Sequence, residues 1–172
     1  VTAVCSFVMD AQDKGFPLRM LVCTRNDALA SDFLERFHAS VPDTSLQELR
    51  VVQLVSPNIS GPHRKEYVST VPAFRGEKDT ILKHECLFVV STYGTSAQIV
   101  DMVPSGFFTH VLLDDCGHMF EPECVIPLHL VGGYTQVVMC GDERQVRRCG
   151  FVACHGNVWF FPSLHEMVLV RL

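Results

Sequence analysis

A three-layer α/β fold, a parallel sheet between two layers of helix, is what this sequence predicts, and three observations predict it. Runs of strand length alternate with stretches of helical periodicity. The runs are apolar throughout rather than alternating, as strands covered on both faces are. They end in short polar clusters, at 24–27, 114–118 and 141–145, which in a parallel sheet all emerge on one edge. With 172 residues, 48% of them hydrophobic, the chain suits one domain with a sizeable core.

Residues 1–12 carry Val4, Val8 and Ala11 at helical spacing, with Cys5 and Phe7 alongside and no N-cap, so this helix is expected to start before Val1. Gly15 and Pro17 close it, and 18–23 (LRMLVC) read as a strand. In the polar turn that follows, Asn26 or Asp27 caps a helix over 28–38 that sets Leu29, Phe33, Leu34 and Phe37 on one side. A turn at 42–45 leads to a strand over 49–55. The segment 56–79, with Pro57, Gly61, Pro62, Pro72 and Gly76 among scattered charges, reads as an irregular insertion.

A strand at 86–91 (CLFVVS), a polar loop at 92–96 and a short helix to 102 precede the stretch that organises the chain, FFTHVLLDDCGHMFEPE at 107–123. There Val111, Leu112 and Leu113 form a buried strand, and Asp114 and Asp115 stand at its carboxyl end, where open α/β sheets bind ligands. A helix over 121–130 follows with Pro122 in its first turn, Gly132 and Gly133 end it, and 136–140 (QVVMC) form a further strand. In the tail, Leu164, Met167, Val168 and Val170 suggest a final short helix. No internal repeat or low-complexity tract interrupts this order.

A formal charge of −5, from 14 Lys+Arg against 19 Asp+Glu, excludes nucleic-acid binding through a dense basic surface. Of 8 cysteines, Cys5, Cys23, Cys86, Cys116, Cys124 and Cys140 lie in or beside apolar segments, as reduced core thiols do, which points to a reducing compartment. No apolar run approaches the about 20 residues of a membrane span, and no basic-then-apolar leader precedes Val1, so a cytoplasmic protein is expected. Cys140, Cys149, Cys154 and His155 lack the paired C-x-x-C of common zinc sites. Cys116 and His118, two apart on a loop, do not readily face each other as nucleophile and base, and Asp114 lacks the partnering lysine of a phospho-accepting receiver.

Four stretches, in this order, resemble the motifs of one family. RMLVCTRNDALASDFLERF (19–37) looks like motif Ia, VVSTYGTS (89–96) like the RNA-contacting motif after it, FFTHVLLDDCGHMFEPECVIPL (107–128) like Walker B motif II, and QVVMCGDERQ (136–145) like motif III. The chain is similar to the first RecA-like lobe of superfamily 1 RNA helicases of the up-frameshift type, closest to the Armitage-like and helicase-with-zinc-finger branches. Residues 1–172 then read as a single lobe with the P-loop NTPase fold. The resemblance implies an ATP-binding, magnesium-dependent hydrolase working on single-stranded RNA, in RNA silencing or decay. By it, Asp114 holds magnesium through water, and Asp115 takes the place of the glutamate that orients the attacking water. Gln145 senses the γ-phosphate, Arg144 approaches phosphate, and Thr24, Asn26, Ser91 and Thr92 face the RNA backbone through hydroxyls and backbone N–H groups.

Departures accompany the match. The phosphate-cradling G-x-x-x-x-G-K-[ST] occurs nowhere in the sequence, and the second RecA-like lobe with its arginine finger is missing, so tight ATP or magnesium binding and unwinding by this chain alone are not expected. Motif II reads Asp114-Asp115-Cys116 instead of Asp-Glu-Ala, and Asp115 reaches about 1.5 Å less far than glutamate. Asp27 and Ser31 stand where the family usually has Asn and Asp, and Val146, Arg147 and Arg148 replace the usual Leu-Pro. These changes support an alternative, a catalytically inactive helicase-like module that serves as a protein-interaction scaffold.

Overall fold

In a computed structural model, residues 1–42, 49–55, 69–72, 87–141, 158–161 and 167–171 are described. Helix α1 (Thr2–Asp13) buries Cys5, Val8 and Ala11 and closes at Gly15, whose φ of 66° lets the Phe16 amide donate back to Ala11 O. Strand β1 (Arg19–Thr24) is followed by α2 (Asp27–Ser40), capped by Asn26, whose Oδ1 accepts from the Leu29 amide at 2.9 Å. Ala30, Phe33, Leu34 and Phe37 form the buried stripe of α2. Ala30 thus takes the place expected for Leu29, which is half-buried at the edge of the stripe.

Strands β2 (Arg50–Val55), β3 (Ser69–Pro72) and β4 (Leu87–Thr92) come next; β3 is a short parallel strand inside the stretch expected to be irregular. The rest of 56–79 lies outside the described residues. Helix α3 (Tyr93–Val100) starts directly after β4, without the polar loop expected at 92–96. The reason is local: Thr92 and Thr95 exchange side-chain and backbone hydrogen bonds in a capping box, so these polar residues start the helix. Strand β5 (His110–Leu113), a 3-10 turn (Cys116–His118), α4 (Glu121–Leu128) and β6 (Gln136–Cys140) complete the parallel part.

The sheet runs β3-β2-β4-β1-β5-β6, all parallel, and then continues antiparallel through β8 (Met167–Arg171) to β7 (Val158–Phe161). Met167–Arg171 is therefore strand where a helix was expected, and Leu164 lies outside the described residues. Val168 and Val170 fit a period of two as well as a helical one, and β6 would otherwise leave its outer edge unpaired.

The chain moves from β1 toward β2 in one direction and from β4 toward β5 in the other. Right-handed crossovers running in opposite directions put their helices on opposite faces. Two cores result. On one face α1 and α2 cover Met20, Val22, Val51, Phe88 and Val90, with Phe37 and Phe88 stacked at 4.3 Å. On the other, Leu21, Cys23, Val52, Val89, Val111 and Leu113 pack beneath Ile99, Phe107, Phe108 and Cys124. Alternate residues of each strand serve alternate faces, which is why the strands read as continuous apolar runs.

Candidate functional site

The register of the central strands decides what the sheet edge presents. Thr24 at the end of β1 pairs with Thr92 at the end of β4, and Cys23 pairs with Leu113, so Asp114 leaves β5 beside the loop that leaves β1. The Asp114 amide donates to Cys23 O at 2.8 Å, extending the ladder by one residue, and the Tyr93 hydroxyl donates to Asp114 O at 3.0 Å. Asp114 is thereby held from β1 and from the start of α3. The chain then turns at Asp115, whose φ of 57° makes it the one non-glycine residue in the left-handed region among the described residues. Aspartate tolerates that conformation better than most side chains.

Asp114 is half-buried, and its pKa is raised by loss of water and by the neighbouring Asp115 carboxylate, with an opposing hydrogen bond from the Asp115 amide. Asp115 Oδ2 lies 3.8 Å from Arg25 Nη1, and its Oδ1 lies 3.6 Å from His118 Nε2. Two adjacent carboxylates at a strand end, one partly desolvated, are hard oxygen donors of the kind that holds magnesium through water.

The polar residues expected on this rim divide. Asn26 is exposed, but its side chain caps α2; Thr92 is half-buried and caps α3. Thr24 and Ser91 are fully buried, and the Thr24 hydroxyl is directed to Asn26 O at 3.0 Å and Ser91 O at 3.5 Å. Tyr93 is completely buried, so its ring is unavailable for stacking on a base. Gly141, where β6 ends, abuts the acidic turn: a Cβ there would lie 2.9 Å from Gly117 N and 3.2 Å from Cys116 Sγ. Arg144 and Gln145 lie outside the described residues, as do Cys149, Cys154 and His155.

No family model matches the chain. Individual proteins do. It is 33% identical over 141 residues, 74% of its length, to the probable helicase with zinc finger domain of Mus musculus. Over 135 residues, again 74% of its length, it is 32% identical to the 3'-5' exoribonuclease HELZ2 of Mus musculus. Over 84 residues, 48% of its length, identity to the probable RNA helicase armi of Drosophila melanogaster reaches 40%. The chain belongs to the superfamily 1 helicases of the up-frameshift type. It spans 7%, 4% and 7%, respectively, of the lengths of these relatives.

Within this helicase chain the parallel sheet flanked by helices is the RecA-like architecture. Two residues at its rim, Arg25 and His118, approach Asp115; from sequence Arg25 had no role and His118 was weighed only as a base for Cys116. Their signal was position alone: each sits in a strand-end loop that a parallel sheet brings to the same edge. Burial pushes the Cys23 thiol up to about 12, and burial together with the Asp114 charge pushes Cys140 up to about 11, so both are protonated at neutral pH. Cys116 is buried while His118 is turned toward Asp115, an arrangement unlike a nucleophile–base pair. Among the described residues, no group of three or more His, Cys, Asp or Glu side chains converges as a metal site, and no helix is long and apolar enough to cross a membrane.

Proposed function

We propose that residues 1–172 form the first RecA-like lobe of an ATP-dependent RNA helicase acting on single-stranded RNA in cytoplasmic RNA silencing or decay. The observation that carries this reading is the single rim. Thr24, Thr92 and Asp114 end adjacent parallel strands, and Asp115 turns back within 3.8 Å of the loop after β1. One edge thus offers an acidic pair beside polar turns, the juxtaposition that coupling nucleotide to RNA requires.

In this reading Asp114 holds magnesium through water, and the ion, when bound, neutralises triphosphate charge. Asp115 aligns water, while in the sequence after β6 Gln145 senses the γ-phosphate and Arg144 approaches phosphate. Thr24 and Ser91, with buried hydroxyls, shape the RNA-facing loops; Asn26 and Thr92 order the starts of α2 and α3, whose backbone N–H groups can meet phosphate.

A second reading, a helicase-like interaction module without hydrolysis, is favoured by one observation: the shortened Asp115 carboxylate sits between Arg25 and His118. A misplacement of about 1 Å can cost on the order of 100-fold in rate. In the full-length gene product, the helicase reading expects magnesium-dependent binding of a fluorescent ATP analogue and RNA-stimulated hydrolysis. Asp114→Asn then abolishes hydrolysis, and Asp115→Glu raises it. Absence of nucleotide binding in that product decides for the interaction module.

A further inference from the structure

With the Thr24 and Ser91 hydroxyls buried, the loop after β1 has one exposed cationic side chain for a phosphate, Arg25. Its Nη1 stands 3.8 Å from Asp115 Oδ2, with the Arg25 side chain 44% and the Asp115 side chain 31% exposed. The other oxygen, Oδ1, faces His118 Nε2 at 3.6 Å, so Asp115 keeps a neighbour when Arg25 leaves. An ion pair this long and this hydrated is weak. A guanidinium instead grips a phosphate through two parallel, charge-assisted hydrogen bonds.

We propose that Arg25 is shared between Asp115 and a backbone phosphate of single-stranded RNA, so that RNA arriving at the loop after β1 draws the guanidinium away and frees the Asp115 carboxylate. The inference rests on the RNA reading of this rim given above. It adds a device to that reading: the second carboxylate of the acidic pair is held by the RNA-facing loop until RNA replaces it. The exchange is between charges of like sign competing for one cation. It needs only a side-chain rotation of Arg25, because both partners lie at the same edge of the sheet.

The test is fluorescence anisotropy of a labelled oligouridylate titrated with the full-length gene product at low ionic strength. Arg25→Ala weakens binding by about 10-fold, the loss of one phosphate contact. Asp115→Asn removes the competitor and tightens binding by about 3-fold, the scale of a solvent-exposed pair. In the Arg25→Ala background, Asp115→Asn has no effect, and this non-additivity is the signature of sharing. A measurement that needs no variant accompanies it: on adding RNA to the wild-type chain, the Arg25 Nε resonance and the Asp115 carboxylate carbon shift together. Binding that Arg25→Ala leaves unchanged, or effects of the two substitutions that simply add, overturns the sharing and leaves the RNA reading standing. No binding by either the wild-type chain or Asp115→Asn overturns the RNA reading, and the inference with it.

Discussion

Asp114 combines a cost to folding with a use. Its folded-state pKa is raised, so the stability contributed by this group is present at pH below its unfolded value and is lost as pH rises through the folded value. Asp114→Asn is therefore expected to raise the melting temperature at pH 7, by an amount that shrinks as the pH falls and the wild-type carboxyl becomes protonated. Thermal unfolding across an acidic-to-neutral pH series measures this, and an equal gain at every pH would remove burial of charge as the cause. Tyr93 supplies the complementary case. Its phenol is fully buried, burial pushes its pKa up, and its hydroxyl donates to Asp114 O. Tyr93→Phe should cost about 1 kcal/mol, read as a lower midpoint in urea with an unchanged slope. At this scale the acidic pair was legible in sequence because an apolar run stops at Asp114. The roles of Thr24 and Ser91 were not, because which way a strand-end hydroxyl turns depends on the neighbouring strand.

Among the elements, a side-chain cap was read from sequence at α2 and missed at α3. Asn26 or Asp27 was expected as the cap, and Asn26 is it; its substitution by alanine should lower stability by about 1 kcal/mol, or about 2–4 °C in melting temperature for a domain of this size. Thr92 was expected in a loop because five small or polar residues in a row resemble one, yet two threonines three apart form a capping box. The close backbone contacts between elements were not legible in sequence. Gly141 looks like an ordinary strand terminus, but its Cα faces the backbone of Gly117, which cannot yield as a flexible side chain would. Gly141→Ala should destabilise by about 1–3 kcal/mol through overpacking. It should also shift the backbone amide resonances of Cys116 and Gly117 more than those of α1, which heteronuclear NMR would check.

The 172 residues carry a net charge of −5, so the RNA contact proposed above does not rest on a general positive field. If one guanidinium supplies the phosphate contact, the logarithm of the binding constant should fall with the logarithm of salt with a slope of about −1, and Arg25→Ala should flatten it. A slope several times steeper would place the contact surface elsewhere. The linear order of apolar runs and polar stops determined the parallel α/β class, the two-layer helical cover and the strand that bears Asp114, since each follows from local periodicity and from the need to bury both faces of a sheet. Tertiary structure alone decided three things: that Arg25 and His118 meet Asp115, that Tyr93 anchors Asp114 from beneath, and that Met167–Arg171 adds an antiparallel strand beside β6. Apart from the Asp115–His118 approach, which is local to the turn after β5, each is a pairing between residues distant in the chain or a choice between two periods the same residues satisfy. Such choices are made by register and by unpaired edges, which exist only once the sheet has formed.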